Sequence, residues 1–352
     1  MLRFRVAAQQ LDRAGVHGDA AILDIGVQDT GPDGARWALA IRGAEPPADD
    51  VLLAWTLRGA PHAYRRPEAP QVAAAVAPWS EADAAKRIFD AARPLKQAGI
   101  AVLDALDHLA GEMRDVAAEP VAKGDMSSAL TERLDAPYLR WCNPCQATHV
   151  YEQPFRLSAL QAGLELEPGT SPPVLHRIPG WRRPGNRVPA YLDPVRAVLR
   201  FLGPTDPKLV AGYLESPVKE VRSRWPEDVV PVELDGRRLD VLAHDLDALT
   251  DPPAAETVRL LGPFDLYIQG RDRELVVPDA TSRKDLWRTI GRPGAVLAGS
   301  EVVGSWRPRS TGRKLRLAVV IWDGSAAPPG LEREAERLAA FRGQAFDGFA
   351  SA

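Results

Sequence analysis

Three consecutive polar side chains near the N-terminus have the chemistry to act on a bond: Gln28, Asp29 and Thr30. Glycines and a proline flank them on both sides (Gly26, Gly31, Pro32 and Gly34). Such residues favour a loop, and loops held between rigid elements often carry binding and catalysis. A carboxylate can accept a proton, and a carboxamide can donate to and accept from one water molecule. The alternative is an ordinary turn between helices, capped by Asp or Thr.

The composition is that of an ordinary globular protein. The chain has 352 residues, of which 45% are hydrophobic and 26% are charged, so two or three domains are expected. No apolar run reaches the ~18 residues of a membrane span, and the first residues lack a signal-peptide core. Two cysteines exclude a disulfide framework. These features predict a cytoplasmic protein, and the abundance of Ala, Arg and Pro indicates a bacterial source.

The charge is unevenly distributed along the chain. The net charge is -3, yet residues 259–316 hold twelve lysines and arginines against six acidic residues. Residues 176–200 hold six arginines against one aspartate. Two basic zones on an acidic chain are typical of a surface that binds phosphates, and solvated surface arginines are the alternative.

Short helical patterns recur in three places, at residues 2–55, 127–134 and 193–225. In the first, Asp49 is expected to cap a helix from Asp50 to Trp55, and a hairpin or wing follows with Arg58 and His62. For His62 we weigh a packed or solvent-facing ring against a phosphate contact. Several short helices closed by a hairpin are typical of a winged helix.

Two helices are expected between the first and second of these patterns. Ser80 begins a capping box for a helix that ends near Pro94. The next helix carries a buried stripe with alternating spacings of four and three residues: Val102, Leu106, Leu109, Met113 and Val116.

The strongest local pattern covers residues 193–242. Asp193 caps the first of three short helices, and the third helix, with Lys219 and Arg222, occupies the position of a recognition helix. Asp235-Gly236 then predicts a type I′ hairpin. A winged helix can also be a plain protein-interaction scaffold, so the fold alone does not establish DNA binding.

The C-terminal region is predicted to be rich in strands, with a closing helix at residues 331–341. The expected strands are residues 265–269, 274–277, 295–297, 302–306 and 315–322. The fold class is therefore α+β and predominantly helical, with tandem winged-helix modules and a C-terminal antiparallel β-sheet or small barrel. The expected domains are an N-terminal winged-helix module with the candidate active-site loop (1–78), a helical bridge and second winged-helix module (79–190), a third winged-helix module (191–252), and a β-rich C-terminal region with the closing helix (253–352).

A Cys-x-x-Cys pair followed by a histidine resembles half of a zinc site: Cys142, Cys145 and His149. A structural zinc needs a fourth ligand, and the nearest spare histidine is His176. One alternative is redox activity of the two cysteines, although the surrounding sequence lacks a thioredoxin-like βαβ pattern. The other is a small buried turn between two strands, and it is the one we adopt. We assign no metal and no organic cofactor.

Motifs spread over most of the chain resemble the AlkZ-like winged-helix DNA glycosylase family. They include Gly26–Thr30, Arg58–His62, Trp141–Val150 with Phe155-Arg156, Gly203-Pro204, Leu261–Arg273, Leu286–Arg288, Gly291–Gly294 and Val303–Arg307. The resemblance implies tandem winged helices, a cleft for double-stranded DNA, and hydrolysis of the N-glycosidic bond of alkylated or crosslinked purines.

The resemblance also places the catalytic motif, Gln-x-Gln or Gln-x-Asp, in the N-terminal loop. Gln28 in the first position puts Thr30 in the second, whereas Asp29 as the acid puts Val27 in the place of the glutamine. The sequence therefore departs from both forms. The candidate catalytic residues are Gln28, Asp29 and Thr30.

The candidate DNA-binding residues come from the basic zones and from the predicted hairpin and third helix. They are Arg58, His62, Arg187, Lys219, Arg222, Arg271, Arg273, Arg292 and Arg307. The predicted partner is double-stranded DNA, in which case the protein would be associated with the nucleoid, with no membrane and no obligatory protein partner. A non-catalytic DNA-binding relative or regulator, and an interaction scaffold that binds no DNA, stay open as alternatives.

Overall fold

The computed structural model describes residues 1–13, 15–183, 185 and 187–350. The chain forms two compact units. Unit 1 comprises residues 1–47, 197–209 and 226–352, and unit 2 comprises residues 48–196 and 210–225. The fold is mixed α+β, with more helix than strand and several small sheets.

The helices, in chain order, are α1 (Leu2–Ala8), α2 (Gly34–Ala40), α3 (Ala69–Val76), α4 (Glu81–Arg87), α5 (Ala92–Gln97), α6 (Val102–Val116), α7 (Lys123–Arg133), α8 (Glu152–Gln161), α9 (Pro194–Leu202), α10 (Pro207–Leu214), α11 (Val218–Ser223), α12 (Leu246–Thr250), α13 (Arg273–Val276), α14 (Ala280–Leu286) and α15 (Leu331–Phe341). The strands are β1 (Val27–Gln28), β2 (Val51–Trp55), β3 (Pro61–Arg65), β4 (Val121–Ala122), β5 (Leu139–Cys142), β6 (Ala147–Val150), β7 (Leu164–Leu166), β8 (Val174–Arg177), β9 (Val229–Leu234), β10 (Arg237–Leu242), β11 (Val258–Leu261), β12 (Gly294–Ala298), β13 (Glu301–Thr311), β14 (Lys314–Ile321) and β15 (Ala345–Ala350).

Unit 2 contains helices packed on small sheets. Helix α6 buries the predicted stripe, with Leu109 and Met113 fully enclosed. Strands β4, β8 and β7 form an antiparallel sheet in that order, while β2 pairs with β3 and β5 pairs with β6. The spacing of four and three residues therefore predicted α6 correctly, because it places those side chains on one helix face.

Unit 1 is built around a five-stranded sheet in the order β11-β12-β13-β14-β15. The first four strands are antiparallel, but β15 joins β14 in parallel after helix α15. Leu315, Leu317 and Leu338 are fully buried in the core that the sheet and α15 share. The predicted antiparallel sheet or barrel is thus an open sheet with one parallel edge.

The predicted helix from Asp50 to Trp55 is wrong, because Val51–Trp55 is strand β2. Its partner is Pro61–Arg65 in antiparallel register, and a 3-10 turn at Leu57–Gly59 connects the two strands. Valine, leucine and tryptophan fit a buried strand, and the cross-strand partner outweighs the local capping pattern of Asp49.

Two predicted strands in the C-terminal region are also wrong. Residues 266–268 form a 3-10 turn, and residues 273–276 form helix α13. The Asp265 carboxylate accepts a hydrogen bond from the Tyr267 backbone N–H at 3.0 Å, which starts the first turn. An aspartate side chain can thus cap a helical turn in a sequence that alternates like a strand.

Local capping and turn patterns were otherwise reliable. Ser80 accepts the backbone N–H of Asp83 at the start of α4, although α4 ends at Arg87, earlier than expected. Asp193 accepts two backbone N–H groups, each at 2.9 Å, at the start of α9. Asp235 and Gly236 both have positive φ, at 51° and 72°, as a type I′ hairpin requires.

Candidate active site

Gln28 ends β1, Thr30 follows in the loop that leads to α2, and the two side chains contact each other. The Gln28 amide Nε2 donates to Thr30 Oγ1 at 3.0 Å, and both side chains are half-buried. Gly26 and Gly31, which bracket them, have φ values of 86° and 90°. This left-handed backbone is accessible to glycine and strained for other residues, so the glycines define the loop.

Asp29 points to the helix that follows the loop. Its Oδ1 accepts the backbone N–H of Ala35 at 2.8 Å, in the first turn of α2. A Cβ on Gly34 would lie 1.9 Å from that oxygen, and φ at Gly34 is 41°. A side chain at position 34 would therefore meet the Asp29 carboxylate in its capping position, and the backbone there favours glycine. The structure brings Gln28 and Thr30 together and uses one oxygen of Asp29 as a cap.

A second carboxylate holds the start of α2 to the C-terminal helix. Asp33 forms a two-pronged ion pair with Arg342, in which Nε donates to Oδ1 at 2.7 Å. The two side chains are 12% and 13% exposed, so solvent screens the pair little. The Trp37 indole also donates to the Leu260 carbonyl at 2.7 Å. The loop is thus fixed to the five-stranded sheet region at several points.

Two buried ion pairs join Arg5 of α1, and Arg42 just after α2, to residues 261–273, one of the segments that carry the family resemblance. Arg42 donates both terminal nitrogens to Asp265, at 2.8 and 2.9 Å, and both side chains are fully buried. Arg5 pairs with Asp272 in the same way and also donates to the Leu202 and Gly203 carbonyls. We did not predict these pairs. The sequence feature that could have indicated them is the presence of aspartates within an apolar segment, because a buried carboxylate needs a cationic partner.

The basic residues of unit 1 are held in different ways. Arg271 is exposed, and Arg273 stacks over Trp287 at 5.1 Å. Burial, with Arg271 nearby, lowers the pKa of Arg273. Arg292 stacks over Phe264 at 4.9 Å.

Arg307, the last of the candidate basic residues of unit 1, has an acidic partner. It forms an ion pair with Asp285 at 3.0 Å. Burial acts to raise the pKa of Asp285, but hydrogen bonds from Arg307 and Ser305 lower it on balance. Arg307 would therefore have to share its charge between Asp285 and a phosphate.

Three of the candidate basic residues of unit 2 are exposed: Lys219 and Arg222 on α11, and Arg187 before α9. Arg58 is half-buried in the turn between β2 and β3, where it stacks over Tyr213 at 4.5 Å and donates to the Tyr213 carbonyl at 3.3 Å. The exposed residues have the accessibility that contact with DNA requires.

His62 is buried in the hairpin of β2 and β3, with 1% exposure. Its Nδ1 lies 3.0 Å from Thr56 Oγ1 and 2.9 Å from the Ala60 carbonyl. Burial, together with the charge of Arg58, lowers the pKa of His62 to about 3, so the ring is neutral at physiological pH. A ring in this position is not accessible to a phosphate.

The residues of the Cys-x-x-Cys pattern also come together. One donor atom each from Cys142, Cys145 and His149 lie within 4.8 Å of one another, and they are the group of possible metal ligands found among the described residues. The two strands expected here are present as β5 and β6, but the turn between them is exposed rather than buried.

The family is shown by the sequence. A family model described as DNA glycosylase AlkZ-like matches residues 22–341. The chain belongs to this family. The matched range includes both the Gln28–Thr30 loop and the Cys142–His149 hairpin of this AlkZ-like chain.

A solved structure supports the same fold. Streptomyces sahachiroi DNA glycosylase AlkZ is similar to this AlkZ-like chain with a TM-score of 0.73 and 19% sequence identity, over 100% of this chain and 98% of that chain. At this identity the likeness shows the fold alone. No curated protein matches the chain. Among the described residues, no helix is long and apolar enough to cross a membrane.

Proposed function

We propose that this AlkZ-like protein hydrolyses the N-glycosidic bond of an alkylated or crosslinked purine in duplex DNA, with the loop Gln28–Thr30 as its active site. The observation that carries the proposal is the contact of Gln28 Nε2 with Thr30 Oγ1 at 3.0 Å, in the loop where the family has its catalytic motif. This contact favours the register in which Gln28 takes the first motif position and Thr30 the second.

The chemistry fits the side chains. Cleavage builds positive charge on the deoxyribose, as in other glycoside hydrolyses, and a water molecule must add to C1′. An alkylated purine already carries positive charge, so it leaves with the electron pair of the broken bond and needs little acid catalysis. Gln28 and Thr30 position the water, and Asp29 supplies negative charge beside the sugar. Because Oδ1 of Asp29 caps α2, Oδ2 is the oxygen that accepts the proton of the water.

The proposed DNA-binding modules are winged helices, within the divisions 79–190 and 191–252. In the first, the element order is α6, β4, α7, α8, β7, β8, and the sheet order β4-β8-β7 places the first strand beside the last. That order is the one expected of a winged helix with β5 and β6 inserted between its second and third helices. In the second, three short helices lead to the hairpin of β9 and β10.

Exposed basic side chains supply the proposed phosphate contacts. Lys219 and Arg222 lie on α11, the third helix of the module at residues 191–252. Arg187, before α9, and Arg271, before α13, are also exposed. Such contacts give binding that weakens steeply with salt. Four other candidates already have contacts within the protein: Arg58, Arg273, Arg292 and Arg307. They contribute to DNA binding only if a phosphate comes within reach of their side chains. His62 is left out of this proposal because it is buried.

The test is single-turnover release of 7-methylguanine from a duplex, with binding to the same duplex titrated over salt. Asp29→Asn keeps an oxygen for the cap but removes the charge, and we expect excision to fall by about 10²-fold with binding unchanged. Gln28→Ala should have an effect of similar size. Controls are Asp90→Asn and Gln97→Ala, two exposed positions in unit 2. If Asp29→Asn and Gln28→Ala both excise at the rate of the parent, the active-site assignment fails.

A second candidate function is non-catalytic binding of duplex DNA. It is favoured by Thr30, whose single hydroxyl stands where the motif has a carboxamide or a carboxylate. This alternative predicts tight, salt-sensitive binding without base release. The variant Thr30→Gln restores the Gln-x-Gln motif. If this variant releases the base and the natural protein does not, the natural protein is a DNA-binding protein whose fold can still hold an active site.

A further inference from the structure

The hairpin of β5 and β6 in unit 2 brings three metal-binding side chains to its tip. Cys142 ends β5, Cys145 lies in the turn, and His149 lies on β6. The strand register pairs Cys142 with Ala147 and Arg140 with His149. Residues opposite each other in an antiparallel pair share a face, as do residues two apart on one strand. Cys142 and His149 are therefore diagonal neighbours on the same face.

The turn returns Cys145 to that face. Gln146 has a φ of 51°, and its backbone N–H donates to the Asn143 carbonyl at 3.3 Å. The turn thus brings the Cys145 sulfur close to the Cys142 sulfur, as a Cys-x-x-Cys turn must in order to present two sulfurs to one ion.

The histidine is oriented for the same role. Its Nδ1 lies 3.0 Å from the Val150 carbonyl, and because a carbonyl only accepts, Nδ1 carries the hydrogen. That bond leaves Nε2 with the lone pair, and a carbonyl on the other ring nitrogen is a common partner of metal-binding histidines.

We propose that Cys142, Cys145 and His149 bind one thiophilic divalent cation, Zn²⁺ in the cell. The three donor atoms lie within 4.8 Å of one another, and a tetrahedral zinc site separates such donors by roughly 3.5–3.8 Å, from Zn–S and Zn–N distances of about 2.3 and 2.0–2.1 Å. Small side-chain movements therefore complete the site. Two thiolates and an imidazole select zinc over magnesium or calcium, which prefer oxygen ligands.

The fourth position of this site is open to solvent. No further His, Cys, Asp or Glu of the described residues joins the group. His176, the spare histidine that the sequence offers, lies beside Glu165 at 3.7 Å. The turn residues Asn143 to Gln146 are exposed, so water can take the fourth position. Three protein ligands and an open position distinguish this site from a closed structural zinc site.

The ion would stabilise a hairpin that lacks a core of its own. An isolated two-stranded hairpin is only marginally stable in water. Trp141 is 58% exposed, and its indole donates to Asn143 at 3.0 Å across the turn. A metal that joins Cys142, Cys145 and His149 would fix both strand ends and the turn, and with them the exposed Trp141.

The test uses the full chain, reduced and stripped of metal, titrated with Co²⁺ as a spectroscopic probe. We expect one Co²⁺ per chain, visible bands of a tetrahedral ion, a thiolate-to-cobalt charge-transfer band, and displacement by Zn²⁺. Cys142→Ser with Cys145→Ser should abolish the charge-transfer band, and His149→Ala should weaken binding at least about 10-fold. His244→Ala is the matched control, since His244 lies on unit 1 and is 58% exposed, and it should not change binding.

Three outcomes would overturn the proposal. The first is a reduced, folded protein with two titratable thiols that shows no charge-transfer band. The second is a double serine variant that binds Zn²⁺ as tightly as the parent. The third is conversion of Cys142 and Cys145 to a disulfide under mild oxidation in a protein that never binds metal when reduced. Circular dichroism of each variant confirms that it is folded. None of these readouts depends on DNA binding or base excision.

Discussion

The loop Gln28–Thr30 and the hairpin Cys142–His149 are both short polar segments, yet they are held in different ways. The loop is fixed by contacts to distant parts of unit 1, through the cap on α2 and the Asp33–Arg342 ion pair. The hairpin has an exposed turn, and its polar groups contact mainly one another. The loop is thus positioned by tertiary packing, whereas the hairpin would be positioned by the ion that we propose it binds. Different substitutions should therefore disrupt the two sites.

The largest effect is expected from the buried ion pair behind the loop. Asp265→Ala leaves the Arg42 guanidinium buried without its partner, which costs about 3–5 kcal/mol of the free energy of unfolding. Urea denaturation measures this loss. In this variant, Co²⁺ binding at the hairpin should be retained at every urea concentration at which unit 2 stays folded. A loss below about 1 kcal/mol would show that solvent reaches Arg42.

The next effect concerns the loop directly. In Gly34→Ala the new Cβ meets Asp29 Oδ1 and displaces the carboxylate from its cap. We expect base excision to fall about 10²-fold, because small misplacements at a reacting centre have effects of this size. Gly31→Ala is the matched control: φ there is 90° but the space around it is open, so it introduces backbone strain without the clash. Equal losses in both variants would assign the effect to strain alone.

A third prediction concerns His62, the buried histidine of the hairpin of β2 and β3. The pKa of His62 is about 3 in the folded protein and about 6.5 in the unfolded chain, so protons bind the unfolded chain first. Its contribution to stability is present above pH 6.5 and is lost as pH falls toward 3. Between pH 7.5 and pH 5 this amounts to about 2 kcal/mol.

His62→Gln should remove that part of the acid sensitivity of the free energy of unfolding. The groups that contact the His62 ring are Thr56, the Ala60 carbonyl and Tyr64, with the charge of Arg58 nearby. Chemical denaturation of the parent and of His62→Gln at both pH values measures the difference. A parallel pH dependence in the parent and in His62→Gln would contradict the buried, neutral ring.

The smallest effect on global stability is expected from metal removal. Chelation should loosen residues 139–150 while the free energy of unfolding of the whole protein changes by less than about 1 kcal/mol, since the hairpin tip lies outside the buried clusters of unit 2. Hydrogen exchange read residue by residue measures this, with the amides of α6 as the internal control. Uniformly faster exchange throughout unit 2 would mean that the ion supports more than the hairpin.

The sequence by itself determined the features that depend on neighbours three or four residues away. The α6 stripe, the Asp193 cap and the Asp235-Gly236 turn are present where the sequence places them, because helix faces, caps and tight turns are local. The family resemblance also came from the sequence, and the match over residues 22–341 confirms it.

Tertiary structure decided whatever depends on partners far along the chain. Residues 51–55 are a strand because residues 61–65 pair with them, and Asp265 is buried because Arg42, 223 residues away, neutralises it. Tertiary contacts also determine that the His62 ring is packed in the interior and not exposed to solvent. Burial of a charged or polar group is stable only when its partner is in place, and periodicity along the chain carries no information about such a partner.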